Sequence, residues 1–195
     1  MTKPSVHPVT PVPLNHAADF EIIDAHIHPF LNEASCLTLY DTPRTPEDLV
    51  YLMKKQQVSR CCGSVIHPVN ITDFKEIHEL NQEALAFRDR FPDFYLPGCI
   101  VHAAFPEESC RELEDMYRNH GVRWLGELVC YATGVKDYFC QGMLPIFELA
   151  QDLQMPVNIH QADIADIEKI AENFPKLPVV MAHPDERPTY MARLA

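Results

Sequence analysis

From residue 20 onward, short apolar runs alternate with longer stretches in which apolar residues recur every three or four positions. The short runs read as strands and the longer ones as amphipathic helices. Strands are expected over residues 20–28, 61–66, 95–101, 122–129, 157–160 and 179–183. Thr45-Pro46-Glu47-Asp48 opens a first helix with a cap residue, proline in the first turn and acids beside it. Ile77, Leu80, Ala84 and Phe87 mark a second helix, and Leu113, Met116 and Tyr117 a third that stops at Gly121. A fourth is expected within residues 144–153, and a fifth carries Ile164, Ile167, Ile170 and Phe174. Residues 185–195 begin a sixth.

Strands and helices that alternate at this pitch predict a parallel sheet with right-handed crossovers. The fold class is therefore α/β, a TIM-type (β/α) barrel. An eight-unit barrel usually takes ~250 residues, and this chain has 195. Residues 1–19 hold several prolines and no amphipathic period, so they read as a flexible N-terminal arm. Residues 20–195 then form the barrel domain, incomplete, with room for about six βα units.

The ends of the predicted strands carry the chemistry. They read Asp24-Ala25-His26-Ile27-His28, Val65-Ile66-His67, Ile100-Val101-His102, Leu125-Gly126-Glu127, Asn158-Ile159-His160 and Met181-Ala182-His183. Six of the ten histidines sit where a strand runs out. In a β/α barrel those ends converge on the active-site face. Residues i and i+2 of a strand point the same way, so His26 and His28 share a face.

Two imidazoles placed like that suit one divalent metal of the zinc kind, with manganese or iron also compatible. His160 is the expected third ligand, and Glu127 is expected as a ligand or as an acid–base group. His183 is expected to carry proton transfer, as the base or acid for water and substrate, or to bind a second metal. His67 and His102 are expected to line the substrate pocket, with Asp24 behind the histidines, orienting an imidazole or satisfying loop amides. A bound metal lowers the pKa of water and so supplies a nucleophile near neutral pH. His78 and His120 read as helix-surface residues and Trp124 as core. Asp163, Asp166 and Glu168 read as a solvated helix face.

Composition narrows the partners. The net charge is −12, with no basic run to neutralise phosphates. Nucleic acid and anionic membranes are therefore disfavoured as partners, and a small-molecule substrate is favoured. Seven cysteines, an odd number with no Cys-x-x-Cys spacing, point to free thiols in a reducing cytosol. No secretory leader or membrane-spanning run is apparent, so a cytoplasmic location is expected.

The strand-end residues resemble the amidohydrolase superfamily. Asp24-Ala25-His26-Ile27-His28 is similar to its first-strand His-x-His motif, and Glu127, His160 and His183 fall at its fourth-, fifth- and sixth-strand positions. Residues 155–160 and 178–184 are phrased most like the amidohydrolase-related branch, which includes amino-carboxymuconate-semialdehyde decarboxylase and several lactonases. The resemblance implies metal-dependent hydrolysis of an amide, ester or lactone in a small molecule, through a metal-bound water. Its closest rival is non-oxidative decarboxylation of a small unsaturated or aromatic acid, since that branch does both. The polymerase-and-histidinol-phosphatase family also opens with His-x-His but continues with serine, aspartate and glycine, where this chain has Pro29-Phe30-Leu31.

The family also carries an aspartate at the end of an eighth strand, which this chain lacks. The expectation is a truncated barrel, one completed by a partner, or a degenerate member. A non-catalytic metal-binding or oligomer-forming barrel fragment is thus the rival reading. Open sheet edges make a homo-oligomer the expected state.

Overall fold

The structure, a computed structural model, describes residues 20–32, 36, 43–67, 70–130, 136–160 and 162–183. The expected arm, 1–19, and the expected sixth helix, 185–195, lie outside the described residues. Among the described residues six strands and five helices alternate: β1 (Ile22–Ile27), α1 (Pro46–Lys55), β2 (Val58–Gly63), α2 (Phe74–Arg90), β3 (Tyr95–Cys99) and α3 (Pro106–His120) come first. β4 (Trp124–Leu128), α4 (Leu144–Asp152), β5 (Val157–Ile159), α5 (Ile164–Asn173) and β6 (Val179–Met181) follow. All neighbouring strands pair in parallel, in the order β1-β2-β3-β4-β5-β6.

The sheet is strongly curled. Strands lie ~4.8 Å apart, so the first and last of six would be separated by roughly 24 Å on a flat sheet. Instead the ring of His26, at the end of β1, lies with its centroid 4.8 Å from that of His183, just past β6. Six parallel strands thus form a half-barrel with helices on its outside, the incomplete TIM barrel the alternation predicts.

Local chemistry sets the element ends. The Thr45 hydroxyl accepts the Asp48 amide at 3.1 Å, while the Asp48 carboxylate accepts the Thr45 amide at 3.1 Å. This reciprocal capping box starts α1. α3 ends at Gly121, whose φ of 71° few other residues adopt. The outer core forms two patches, one of α1 and α2 against β2 and β3, the other of α3, α4 and α5 against β3, β4 and β5. Cys61 and Cys99 are fully buried there.

Three readings of helix and turn residues change. Asp166 is not part of a solvated face: it is 6% exposed, and both carboxylate oxygens accept the Phe139 amide at 3.1 Å. It thereby anchors the segment between β4 and α4, while Asp163 caps α5 by accepting the Ala165 amide. Trp124 is only partly buried, yet its indole N–H is shielded and has no partner among the described residues. His78 is not idle on the α2 surface, because its Nδ1 lies 2.9 Å from the buried Glu112 carboxylate.

Candidate active site

Two irregular strands build the site. On β1, Asp24 pairs with Cys61 and Ile27 with Gly63, three steps against two. On β4, Leu125 pairs with Val157 and Leu128 with Ile159, again three against two. Each strand therefore carries one extra residue next to a site residue, and such bulges re-aim side chains. Asp24 serves the first bulge: its carboxylate accepts the His26 amide at 2.9 Å. It satisfies a backbone amide, the second of the two roles expected of it. In the second bulge, Gly126 has a φ of 96°, and a side chain there would strike the Asn158 carbonyl. A glycine at this position is what lets the backbone turn Glu127 inward.

Around these strands the loops are tied down. Glu83 of α2 accepts the amides of Leu31 and Asn32 at 2.6 and 3.3 Å, fixing the segment just past His28. The buried Tyr95 and Tyr138 hydroxyls donate to the carbonyls of Gly63 and Leu128 at 2.6 and 2.7 Å, pinning the ends of β2 and β4.

At the centre lies the Glu127 carboxylate, 3% exposed. His28 Nε2 is 3.1 Å from one of its oxygens. His160 Nδ1 is 2.7 Å from the other, and His26 Nε2 is 3.7 Å from that same oxygen. The His26 ring packs edge-on against His28 and His183, with centroids 4.9 and 4.8 Å apart, and His160 lies 5.2 Å from His183. The structure thus brings together five of the predicted site residues from four strands. His183 holds a φ of 51°, a left-handed conformation that costs a non-glycine residue energy and is concentrated at functional sites.

The tautomer of His28 shows what the cluster requires. Its Nδ1 is 2.9 Å from the Ser64 carbonyl, which can only accept, so Nδ1 carries the proton. In a neutral ring Nε2 is then a bare lone pair, aimed at a carboxylate oxygen 3.1 Å away. Two acceptors at that distance repel, so the arrangement calls for a positive charge: a proton on the ring or a metal cation. Imidazole nitrogens around one carboxylate are also the donor set that divalent transition metals take. These residues therefore fit a divalent cation.

The grouping differs in one respect from the expected trio of His26, His28 and His160. Donor atoms of His26, Glu127 and His183 lie within 4.8 Å of one another. His28 and His160 instead hydrogen-bond to opposite oxygens of Glu127, so the carboxylate stands between them.

Burial pushes the Glu127 pKa upward, but the surrounding imidazoles outweigh it and hold the carboxyl below its usual value. Burial lowers the pKa of His26, with His28 and His183 acting the same way against the pull of Glu127. Both shifts have one consequence for the metal-free protein. A depressed pKa means the unfolded chain takes up protons first as pH falls, so stability drops on acidification. The loss should begin as pH falls through the ordinary histidine value and deepen through the carboxylate range. Thermal melts of metal-free protein between pH 8 and pH 4 check this, and Glu127→Gln should flatten the lower part of the profile.

His67 is half-buried, four residues past the end of β2. His102 is 3% exposed and turned into its own loop: Nδ1 accepts the Ala104 amide at 3.1 Å, and its own amide donates to Ser109 at 2.9 Å. Burial lowers its pKa. The sequence reading passed over Asn158 and Ser64, which are 1% and 0% exposed with side-chain polar atoms unpartnered among the described residues. The signal was available at Asn158: an amide in a buried strand, two residues before His160, with the same spacing as His26 and His28.

Among the described residues, no helix is long and apolar enough to cross a membrane. No curated protein matches the sequence. Solved structures do match. 2,6-Dihydroxybenzoate decarboxylase from Rhizobium superposes with a TM-score of 0.64 at 14% identity, covering 88% of this chain and 69% of that one. The 5-carboxyvanillate decarboxylase of Novosphingobium aromaticivorans, complexed with manganese and 4-hydroxy-3-methoxy-5-nitrobenzoic acid, gives 0.65 at 15%, covering 90% and 69%. The 4-oxalomesaconate hydratase of Rhodopseudomonas palustris gives 0.61 at 16%, covering 88% and 66%. At such identities the likeness establishes the fold. The family profile described as amidohydrolase matches residues 23–187, a span that holds β2 to β6, all of β1 but Ile22, and every residue of the Glu127 cluster, and the chain belongs to that family.

Proposed function

We propose that this chain is a metal-dependent enzyme that decarboxylates a small unsaturated or aromatic acid without oxidation. The observation that carries the reading is the Glu127 carboxylate faced by imidazoles, with exposed His183 against the same cluster. Likeness to two aromatic-acid decarboxylases, one holding manganese, supports it. His26, His28, His160 and Glu127 would hold the metal, zinc or manganese being compatible with these donors. A divalent cation there would act as a Lewis acid toward an acidic substrate.

The remaining work falls to the chain's own groups. The substrate's carbon–carboxyl bond breaks, its electron pair stays on carbon, and carbon dioxide leaves. His183, exposed at the mouth of the cluster, delivers the proton that forms the new C–H bond and regains one from solvent. His67 lies at the rim, half-buried, as a substrate-contacting residue, and His102 shapes the wall behind it.

Hydrolysis of an amide, ester or lactone is the second reading. It is favoured by the acceptor oxygens of Glu127 at the centre of the imidazole cluster, within reach of a proton from water. A panel of hydroxybenzoic and unsaturated acids assayed for carbon dioxide, beside amides, esters and lactones assayed for acid release, decides between them. Each assay is run with chelator and after metal return. Carbon dioxide release that chelator abolishes is expected. Activity on neither panel, with metal bound, would favour a non-catalytic metal-binding protein.

The same reading includes a homo-oligomer and a small-molecule substrate. Among the described residues β1 pairs only with β2 and β6 only with β5, so each offers an edge to another chain. Light scattering should give a mass above 22.3 kDa. A sharp monomer peak would contradict it.

A further inference from the structure

Leu128 ends β4, one residue past Glu127, at the point where the second bulge closes. Its carbonyl oxygen accepts two hydrogen bonds, from the His160 amide at 2.9 Å and from the Tyr138 hydroxyl at 2.7 Å. A carbonyl has two lone pairs, and both are used here. One oxygen thus joins the backbone beside Glu127 to the backbone of His160. The side chains of those two residues meet 2.7 Å apart, Oε1 to Nδ1. The His160 amide alone already satisfies the Leu128 carbonyl, so the hydroxyl does not rescue an orphaned acceptor.

Tyr138 is held as a strut. It is 1% exposed and lies in the same core patch as Met143, Ile146 and Phe147. The amide of the next residue, Phe139, donates to the Asp166 carboxylate of α5 at 3.1 Å. Farther along, a side chain at Gly142 would strike the Ala103 carbonyl, so this segment lies flush against the loop after β3. The phenol is therefore fixed by its surroundings while its hydroxyl reaches the bulge. A bulge interrupts the ladder and leaves its extra residue unpaired, and in β4 that freedom falls on Gly126 and Glu127. We infer that Tyr138 is a positioning residue of the metal site: through the Leu128 carbonyl its hydroxyl fixes the β4 bulge, holding Glu127 and His160 together as metal-binding groups. The inference rests on the metal-dependent reading above. Groups that hold metal ligands from behind typically account for about 10–100-fold in affinity. Tyr138 does so at one remove, through the backbone.

The test uses the full chain and Mn²⁺ alone. Tyr138→Phe removes the hydroxyl and keeps the ring, and the Leu128 carbonyl retains the His160 amide, so the variant should fold. Its Mn²⁺ affinity should fall by a factor of about ten or more. Ile146→Val trims the same core patch without removing a polar atom, controls for loosened packing, and should bind Mn²⁺ like wild type. The His160 ring gives a readout in metal-free protein that loosened packing would not move. A carboxylate can only accept, so His160 Nδ1 carries the proton that Glu127 takes. Long-range ¹⁵N–¹H spectra, at a pH where the ring is neutral, should show the Nδ1–H tautomer in wild type and in Ile146→Val. Tyr138→Phe should show a mixture of the two tautomers. An unchanged tautomer in Tyr138→Phe would overturn the inference, as would unchanged affinity, an equal loss in Ile146→Val, or failure of Tyr138→Phe to fold. Should wild type bind no Mn²⁺, the metal reading fails, and the tautomer comparison still decides the role of Tyr138.

Discussion

Replacing His26 and His28 together by alanine is expected to strip the protein of its divalent metal and to abolish turnover. Both rings direct Nε2 at the Glu127 carboxylate, at 3.7 and 3.1 Å. Without them the carboxylate keeps only His160 among the imidazoles of β1 and β5. A buried anion that loses its partners is strongly destabilised, so Glu127 should also become easier to protonate. The effect has a thermal signature. Metal at a thousandfold excess over its Kd stabilises a native protein by about 4.1 kcal/mol. For a domain of this size that corresponds to a rise of roughly 8–16 °C in melting temperature. Wild type should show such a rise on metal addition, and the double variant should show none. Equal metal content in the two proteins would remove β1 from the metal site.

Much of this was legible in the sequence, and the reason is periodicity. The spacing of Ile77, Leu80, Ala84 and Phe87 fixes α2, because burying one face of a helix demands a three-to-four repeat. The capping box at Thr45 and the left-handed Gly121 are local signals that local structure obeys. Convergence of the strand-end histidines follows from parallel topology, since every strand then delivers its C-terminal end to one face.

What the sequence hides is register. The bulges at residues 24–27 and 125–128 depend on pairing with β2 and β5, and nothing in either run announces an extra residue. They nevertheless decide that Glu127 meets His28 and His160 at hydrogen-bonding distance. The loop contact of His102 was hidden for a related reason. It follows a strand like the others, yet its Nδ1 accepts the Ala104 amide within its own loop while its Nε2 is buried without a partner among the described residues.

His183→Asn should lower turnover by ~10²–10⁴-fold, the usual contribution of a general acid–base group, while metal content stays nearly unchanged. The variant keeps a polar side chain of similar reach, and asparagine tolerates the left-handed backbone, φ 51°, that His183 adopts. Position argues for proton transfer: His183 is exposed, whereas His26 and His28 are partly buried and Glu127 nearly fully so. Geometry also permits the opposite role, because a His183 nitrogen lies within 4.8 Å of donor atoms on both His26 and Glu127. Metal analysis of the variant separates the two. If metal falls with activity, His183 is a ligand, and Glu127 becomes the acid–base group. If metal and rate both persist, the proton moves through another group, and Glu127→Gln is the next variant to measure. Retained metal with turnover reduced a hundredfold or more is the result that assigns the proton to His183.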